Sequence, residues 1–343
     1  MSNAILSSKI VTIIVNYNIA DHVIDAVRSL EPSAQKFDDF TVRIVDNQST
    51  GNDVELLSAA ILENGWQDWV KLHPENDNLG FAAGNNVALR EALTHAPADF
   101  IYLLNPDAWV RDDAVEQLVS FLEQNSEVGI VGSRCEYEEG SVQVSAFRFP
   151  TILGEFEQAI SLSFVTRLLA RRQIAPRPKN TTYQTDWLSG ASVMIRKQVF
   201  DDIGMMDQGY FLYYEETDFM LQAARAGWSA WYLHTARAVH LVSQSTKIQN
   251  ESSIDEAPRQ NKPLPAYWFD SWRYYFTKNH GRVYAITAGM AWMAGSLLYK
   301  AHRFILRRPS TQPAHATSSF WKHCFVPLLR ESTKTLGDKD VRT

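Results

Sequence analysis

Short apolar runs alternate with amphipathic stretches through the first 133 residues of the chain. Residues 10–16 (IVTIIVN) form a β-branched run, which is typical of a strand that is buried on both faces. Strands and helices that alternate at this spacing are joined by right-handed crossovers, so the pattern predicts an α/β fold with a mostly parallel sheet and helices on both faces. The predicted strands are 10–16, 41–45, 70–73, 100–104 and 128–132, and the predicted helices are 21–30, 53–63, 81–94 and 112–124.

The pattern is less regular after residue 133. Residues 150–183 predict an apolar helical piece followed by a proline- and arginine-bearing stretch. Residues 243–263 are polar and contain two prolines, which indicates a loop or a disordered segment. The other elements predicted here are strands 184–188, 192–196, 228–233 and 236–241 and a helix from Glu215 to Ala226, closed by Gly227.

The C-terminal region has a distinct composition. Residues 283–299 carry no charged side chain, and the basic residues Lys300, Arg303, Arg307 and Arg308 follow. The run is short for a membrane span. Two interpretations stay open at this point: a helix that lies in the bilayer interface with its basic end on anionic headgroups, or a buried packing helix with a solvated basic end.

The bulk composition narrows the possible function classes. The 343 residues are 45% hydrophobic and 21% charged, which is ordinary for a folded protein. The net charge of -6 argues against a nucleic-acid-binding protein that relies on a broad basic face. The two cysteines, Cys135 and Cys324, form no CxxC pair, so we expect no zinc knuckle and a reducing compartment. The N-terminus lacks the pattern of a secretory signal, so the cytoplasm is the expected location.

Polar residues follow three of the predicted strands at the point where each strand ends. Asn16 closes the first strand, Asp46 closes the second, and Asn105 and Asp107 follow the fourth. Ligands of open α/β sheets bind beyond the carboxyl ends of the strands. These residues are therefore the first candidates for a binding site.

Asp107 is the leading candidate for a metal ligand, because hard cations such as Mg²⁺ and Mn²⁺ prefer carboxylate and sometimes imidazole ligands. The segment Asn105-Pro106-Asp107 also fits a plain turn, which these residue types favour. Asp46 has two interpretations as well: a turn residue at the end of a strand, or an acceptor of hydrogen bonds from a nucleoside. His240 gains a functional interpretation only if the fold brings it beside Asp107.

Small residues mark two further candidate positions. Asn78 and Gly80 precede the third predicted helix, and Gly84 and Asn85 lie near its start. Glycines permit close backbone approach and a helix N-terminus favours anionic groups, although a plain cap and turn explains the same residues. Gly190 ends a predicted strand, where it either lets a substrate pass close to the backbone or serves packing.

Glu215, Glu216 and Asp218 form the densest acidic cluster. Acidic residues stabilise the first turn of a helix, so a structural interpretation is available. Neighbouring helical residues point about 100° apart, so the two glutamates would not straddle one bond as a glycosidase pair requires. One carboxylate acting as a general base is the better interpretation, with Asp218 paired to Gln222 or Arg225 along the helix.

A dinucleotide-dependent oxidoreductase would share the alternating pattern of strands and helices. It should carry Gly-x-Gly-x-x-Gly after the first strand. The segment Asn16-Tyr17-Asn18 stands there instead, which argues against that class.

Several segments, taken in order, resemble the family 2 glycosyltransferases with the GT-A fold, and more narrowly their rhamnosyltransferase-like branch, which builds bacterial surface polysaccharides. The resemblance covers roughly residues 8–245. It implies a Rossmann-like, mostly parallel central sheet with helices on both faces and a C-terminal helical appendage. The segments are IVTIIVNYN, VDNQST, NLGFAAGNN, LLNPDAWV, WLSGASVMIRKQVF and DQGYFLYYEETDFMLQAARAGW, followed by a late histidine.

The resemblance implies roles for the candidate residues. Asp46 would bind the donor nucleoside, and Asp107 would bind Mg²⁺ or Mn²⁺ as the surviving acid of a DxD-type motif whose first position is Asn105. His240 matches the late histidine that contacts the metal or the diphosphate. The remaining residues of the predicted donor pocket are Asn16, Asn78, Gly80, Gly84, Asn85 and Gly190.

The branch usually shows Glu-Asp followed two residues later by Asp, where this chain has Glu215-Glu216-Thr217-Asp218. Glu216 therefore occupies the place of the expected aspartate base, and Glu215 is the alternative. The implied reaction is an inverting, metal-dependent displacement in which Glu216 takes the acceptor proton while the hydroxyl attacks the anomeric carbon.

The resemblance also suggests substrates and a place of action. Rhamnose from dTDP-rhamnose is the expected donor and a UDP-hexose the alternative, and the acceptor would be a glycan or lipid-linked glycan. A peripheral position on the inner membrane and no nucleic-acid partner are expected. The rival hypothesis is a non-catalytic protein that binds sugar nucleotides or assists assembly.

The resemblance and the composition together predict the domain organisation. The expected parts are a glycosyltransferase domain over 1–245, with a nucleotide-binding half 1–133 and an acceptor or catalytic half 134–245, a flexible loop 246–263, and a helical, membrane-associating region 264–343.

Overall fold

A computed structural model describes residues 6–94, 98–242, 263–310 and 312–330. Contacts divide the chain into two compact units, the first containing 1–149 and 175–259 and the second 150–174 and 260–343. Residues 150–174, which were expected within the glycosyltransferase domain, group by contacts with the C-terminal helices. Of the predicted loop 243–263, all but residue 263 lies outside the described residues.

The strands and helices follow the predicted alternation through residue 136. The strands are β1 Leu6–Asn16, β2 Phe37–Asp46, β3 Val70–Pro74, β4 Phe100–Leu104, β5 Ala108–Val110, β6 Val128–Glu136, β7 Ala146–Phe147, β8 Tyr183–Thr185, β9 Trp187–Leu188, β10 Ser192–Arg196 and β11 Ser229–His240. The helices are α1 Ala20–Ala34, α2 Asp53–Glu63, α3 Gly80–Thr94, α4 Ala114–Gln124, α5 Ile152–Ile160, α6 Ser163–Leu168, α7 Lys197–Ile203, α8 Glu215–Arg225, α9 Ala266–His280, α10 Arg282–Ile305, α11 Ala316–Phe320 and α12 Val326–Arg330.

The first unit is built on one large sheet. Within the described residues it has nine strands in the order β3-β2-β1-β4-β10-β6-β11-β5, with β8 paired to β11. Strands β1 to β4, β6 and β11 run in one direction, and β10, β5 and β8 run against it. The predicted mostly parallel sheet is confirmed. The two predicted strands 228–233 and 236–241 form one strand, β11, with an irregular register between Leu233 and Arg237.

Strand β10 runs antiparallel between β4 and β6, and this insertion positions the site. Because β10 runs against β4, its first residue, Ser192, pairs with Leu104, the last residue of β4. The segment before β10 therefore lies at the carboxyl edge of the parallel strands, where ligands of such sheets bind. Periodicity alone did not predict this reversal.

Apolar side chains cover both faces of the sheet, as the β-branched run at the start of the chain predicts. Ile10 and Ile14 of β1 face a core shared with α1, α2 and α4. Val11, Ile13 and Val15 face a second core shared with α3, α7 and α8. Because successive side chains of a strand alternate between faces, a strand with apolar residues on both faces requires helices on both sides.

The second unit is helical. Helix α10 packs closely on α5, where a Cβ added to Gly295 would lie 2.7 Å from the Phe156 carbonyl oxygen. The indole Nε1 of Trp272 in α9 donates a 3.0 Å hydrogen bond to Glu155 Oε2 in α5. Among the described residues, none of the helices has the length and hydropathy needed to cross a bilayer.

Candidate functional site

Asn16 and Asp46 end the parallel neighbours β1 and β2 and pair directly in register. Asn16 Nδ2 donates to Asp46 Oδ1 at 2.7 Å and to Asp53 Oδ1 at 3.0 Å. The backbone N–H and the hydroxyl of Ser49 donate to Asp46 at 3.0 and 2.6 Å. Both Asn16 and Asp46 are buried, and Asn16 Oδ1 has no hydrogen-bond partner among the described residues. The two residues predicted to bind the sugar donor therefore lie in one polar network, in which Asn16 Oδ1 is an unused hydrogen-bond acceptor among the described residues.

Asn47 ties this network to the start of α3, a role that was not predicted from the sequence. Its Nδ2 donates to Asn78 Oδ1 and to the Gly80 carbonyl oxygen, each at 3.1 Å. Its Oδ1 accepts from the Leu79 N–H at 3.0 Å. The position of Asn47 directly after Asp46 at the end of a strand was the available signal. These contacts hold Asn78 and Gly80 beside the end of β2.

Gly80 allows the segment that precedes α8 to approach the start of α3 closely. Its φ is +80°, and a Cβ there would overlap the Phe211 carbonyl oxygen, which also accepts a 2.9 Å hydrogen bond from the Phe81 N–H. A side chain at this position would be both strained and obstructed. Gly80 thus lets residues 205–214 lie against the start of α3.

Gly84 and Asn85 have contacts inside the first unit. A Cβ at Gly84 would lie 3.0 Å from Val15 Cγ1, so glycine allows α3 to pack on β1. Asn85 is buried and its Nδ2 donates to the Phe81 carbonyl oxygen at 2.9 Å. These contacts support a packing role for both residues, and contact with the donor stays a prediction.

The fold brings His240 beside Asp107. Ala108 in β5 pairs with His240 at the end of β11, and His240 Nε2 lies 3.3 Å from Asp107 Oδ1. Asn105 Nδ2 lies 3.2 Å from the same imidazole nitrogen. Asp107 is buried, and His240 is mostly enclosed. A functional interpretation of His240 required that it lie beside Asp107, and it does.

The Asp107 carboxylate and the His240 imidazole are side chains that fit a hard divalent cation as ligands. Within the described residues, groups of three or more His, Cys, Asp and Glu that could hold a metal are absent. Mn²⁺ binds both carboxylate oxygens and imidazole nitrogens. Mg²⁺ is commonly bound by one or two carboxylates together with substrate phosphates. Asp107 and His240 are the residues that would hold such a cation.

Glu216 is held by the segment before β10. The Gly190 N–H donates a 2.6 Å hydrogen bond to Glu216 Oε1, and a Cβ at Gly190 would overlap this oxygen. Burial raises the pKa of Glu216 above its ordinary value, against the opposing effects of the Gly190 hydrogen bond and of His240. A carboxylate with a raised pKa at the binding edge of the sheet suits a general base.

Glu215 has a different environment. It is fully buried, and its Oε2 has no hydrogen-bond partner among the described residues. Burial, followed by the charge of Glu216, raises the pKa of Glu215. Glu215 is therefore enclosed, whereas Glu216 is partly accessible.

Three further residues around the start of α8 have structural features: Asp218, Tyr213 and Tyr214. Asp218 is buried and accepts a 3.2 Å hydrogen bond from Gln222 Nε2, which is one of the two pairings expected from sequence. Tyr213 and Tyr214 both have positive φ, 70° and 69°, immediately before α8. Two consecutive non-glycine residues in the left-handed region are uncommon, and such strain is concentrated at functional sites. No pattern in the sequence indicated this strained turn.

Two adjacent residues connect the acid at the start of α8 with the metal candidates. Gly190 binds Glu216, and the Ala191 carbonyl oxygen accepts a 3.1 Å hydrogen bond from the Asn105 N–H. Asn105 in turn contacts His240. The predicted base and the predicted metal ligands are therefore linked through three consecutive contacts, although more than 100 residues separate Asp107 from Glu216 in sequence.

The sequence model described as "Glycosyl transferase family 2" matches residues 11–204. This range contains the polar edge of the sheet from Asn16 to Gly190, and it ends before α8 and His240.

Two curated relatives are rhamnosyltransferases. The chain is 26% identical over 187 residues to the N-acetylglucosaminyl-diphospho-decaprenol L-rhamnosyltransferase of Mycobacterium tuberculosis strain H37Rv, covering 52% of this chain and 60% of that protein. It is 27% identical over 170 residues to the rhamnosyltransferase WbbL of Escherichia coli K12, covering 47% and 60%. The matched region thus spans about three fifths of the length of each relative.

The fold is that of solved GT-A glycosyltransferases. The crystal structure of GalNAc-T7 with UDP, GalNAc and Mn²⁺ superposes with a TM-score of 0.53 at 12% identity, covering 92% of this chain and 56% of that chain. At this identity the likeness concerns the fold. It confirms the predicted GT-A architecture of the central sheet.

Proposed function

The chain belongs to glycosyl transferase family 2, and from this membership we propose that it transfers a sugar from a nucleotide-diphosphate donor to an acceptor hydroxyl. The observation that carries the proposal is the linkage of Glu216 to the Asp107–His240 pair through Gly190, Ala191 and Asn105. One end of this arrangement can accept a proton, and the other can hold a cation at a departing diphosphate. Glycosyl transfer from such a donor needs both functions: a group that takes the acceptor proton, and a cation that stabilises the charge on the leaving diphosphate.

The donor nucleoside would bind at the Asn16–Asp46 network. Asn16 Oδ1 is a buried acceptor without a donor among the described residues, and leaving such an atom unpaired is costly. An N–H or O–H group of the nucleoside would satisfy it. Asn47 and Asn78 hold the neighbouring backbone in place, so the pocket does not have to form on binding.

Asp107 and His240 would hold Mg²⁺ or Mn²⁺, with Asn105 beside the imidazole. The bound cation would supply Lewis-acid stabilisation of negative charge on the diphosphate. The buried position of Asp107 limits water at this point, which strengthens charge interactions and protects the donor from hydrolysis.

Glu216 would accept the proton of the acceptor hydroxyl as the oxygen attacks the anomeric carbon and the bond to the nucleoside diphosphate breaks. The hydrogen bond from Gly190 fixes one carboxylate oxygen, which leaves Oε2 for the proton. This single displacement inverts the anomeric carbon and needs no covalent sugar intermediate. Glu215 is the alternative base.

Rhamnose from dTDP-rhamnose is the proposed donor, supported by the names of the two relatives, and a UDP-hexose is the alternative. A glycan or lipid-linked glycan of bacterial surface polysaccharide synthesis is the proposed acceptor, met at the cytoplasmic surface of the membrane. The name of the M. tuberculosis relative, which acts on a diphospho-decaprenol, favours the lipid-linked form.

The donor is tested by a thermal-shift panel of UDP, dTDP, GDP and their sugars, with and without Mn²⁺. A ligand that binds the native state raises its melting temperature according to its affinity. We expect one nucleotide to stabilise the chain in a Mn²⁺-dependent manner, and Asp46→Asn to lose most of that shift. If none of the nucleotides shifts the transition in either condition, the proposal is wrong.

Turnover separates the enzyme from a non-catalytic sugar-nucleotide-binding protein. The donor found by the panel is incubated with a lipid-linked glycan acceptor, and NMR of the product reports the anomeric configuration. We expect inversion relative to the donor. Donor binding without any transfer or donor hydrolysis would favour the non-catalytic alternative.

A further inference from the structure

One face of α10 is exposed and, except for Thr287, apolar. We call it the α10 stripe; its members recur every three or four residues, which places them on one side of the helix. Among them, Val283 is 80% exposed and Phe304 84%, whereas Met290 and Leu297 are about half exposed. The α10 stripe consists of Val283, Thr287, Met290, Ala294, Leu297, Ala301 and Phe304, and all seven are exposed and uncharged.

The opposite face of α10 is the one that packs within the second unit. Trp292 stacks on Phe320 with ring centroids 4.2 Å apart, and Gly295 lies against α5. Helix α10 is therefore apolar on two sides, and this explains the absence of charge from 283 to 299. Intramolecular packing accounts for one side and leaves the α10 stripe uncovered among the described residues.

The charge of the second unit favours one kind of partner for the α10 stripe. Its described residues contain twelve arginines and lysines but three acids, although the whole chain has a net charge of -6. Two of the acids, Glu155 and Glu157, are buried, so Asp270 is the acid at the surface. Exposed Arg307 and Arg308 follow the stripe directly. The unit therefore presents a basic surface next to exposed apolar side chains.

Helix α6 has the same combination of residues. Phe164 is 78% exposed and Leu168 74%, and exposed Arg167 lies between them in sequence. The exposed arginines Arg171 and Arg172 follow. Large apolar side chains interleaved with arginine are typical of segments that lie in a membrane interface.

We propose that the second unit docks on an anionic bilayer surface, with the α10 stripe in the interface and the neighbouring arginines on lipid headgroups. A symmetric dimer through this surface is disfavoured, because two equally basic units would repel each other and the stripe offers no acid to pair with arginine. The docking does not depend on the donor chemistry. Its use, to bring the enzyme to a lipid-linked acceptor, rests on the proposed function.

The test is sedimentation of the full chain with vesicles, in the absence of nucleotide. The vesicles contain phosphatidylcholine alone or phosphatidylcholine with phosphatidylglycerol. The apolar variant is Leu297→Gln with Phe304→Gln, and its matched control is Leu56→Gln with Leu62→Gln, two exposed leucines of α2. The charge variant is Arg307→Gln with Arg308→Gln, and its control is Arg90→Gln, an exposed arginine of α3.

We expect the wild type to sediment with the anionic vesicles and to be released by salt, because screening weakens attraction between surface charges. The charge variant should bind about 30-fold more weakly, because it removes two basic residues and each contributes about fivefold to the affinity for such a surface. The apolar variant should lose at least about tenfold, and the controls should match the wild type. Circular dichroism and the melting temperature establish that each variant is folded.

Three results would overturn the proposal. The first is a wild type that does not sediment with anionic vesicles. The second is vesicle binding that is unchanged in both the apolar variant and the charge variant. The third is a dimer in sedimentation velocity that the apolar variant dissociates, which would assign the stripe to a second copy. None of these readouts uses the sugar donor, so a failure of the proposed function would be recognised separately by the nucleotide panel.

Discussion

The backbone N–H of Gly190 and the carboxylate of Glu216 are joined by a 2.6 Å hydrogen bond. No β-carbon fits at Gly190, because it would overlap Glu216 Oε1. The position of the proposed base therefore depends on the absence of a side chain 26 residues earlier.

Gly190→Ala should reduce kcat by about 10²-fold, because a displacement of about 1 Å in a reacting group has that effect. The melting temperature should change little, since Glu216 can move toward solvent. Steady-state kinetics and thermal melting measure the two effects. Gly51→Ala is the matched control, because a Cβ there makes an ordinary 3.5 Å contact. Equal activity of Gly190→Ala and the control would remove Glu216 from the role of base.

Glu216→Gln should lower kcat by about 10²- to 10⁴-fold, the usual contribution of a general base. A base must be deprotonated to act, so kcat/KM should rise with pH. The half-point should lie above the ordinary glutamate pKa of 4.5, because burial raises the pKa of Glu216. The acid limb of the pH–rate profile measures it. A Glu215→Gln variant that is inactive beside a fully active Glu216→Gln would move the assignment to Glu215.

Asp107→Asn should weaken Mn²⁺-dependent donor binding and reduce kcat by about 10²-fold or more, because a metal ion at a phosphoryl oxygen is worth several kcal/mol. His240→Ala should act in the same direction. Titration calorimetry of Mn²⁺ with the nucleoside diphosphate reports binding independently of turnover. Asp113→Asn serves as the control, an exposed aspartate six residues away. Unchanged Mn²⁺ dependence in Asp107→Asn would refute the metal assignment.

Glu155 should make the second unit more stable in acid than at neutral pH. Burial raises the pKa of Glu155 from 4.5 to about 7, so the folded state retains a proton that the unfolded chain loses. The stability is fully present below the unfolded pKa and is lost as the pH rises from 4.5 toward 7, by about 3 kcal/mol. Glu155→Gln keeps an acceptor for Trp272 and should abolish this dependence. Melting temperatures of both proteins from pH 4.5 to 8 measure it, and parallel curves would contradict it.

Asn86 should fix the segment that leads to α8. Its Nδ2 donates to the Met206 carbonyl oxygen at 2.7 Å, and its Oδ1 accepts from the Met206 N–H at 3.2 Å. Asn86→Leu leaves both backbone groups unpaired, at about 1–3 kcal/mol each, and should lower stability to urea. Asn52→Leu is the control, since the Asn52 side chain makes no capping hydrogen bond. An Asn86→Leu protein as stable as the control would show that solvent satisfies Met206.

The order of polar residues along the chain predicted where several residues of the candidate site lie. Asn16, Asp46 and Asp107 could be found because each follows an apolar strand, and parallel strands end at one edge. No role was predicted for Asn47 or Asn86, because each acts through the distant backbone groups that it bonds. The tandem left-handed residues Tyr213 and Tyr214 were missed because neither is a residue type that favours that conformation.

By itself, the sequence determined the fold class and the candidate acids. Hydrophobic periodicity is a local property, and it specifies which faces must be buried and where each strand stops. Only the tertiary structure decided that β10 runs antiparallel beside β4, that His240 lies against Asp107, and that Gly190 holds Glu216. These relations join residues far apart in sequence, and they depend on the packing of whole elements, which periodicity within one segment does not encode.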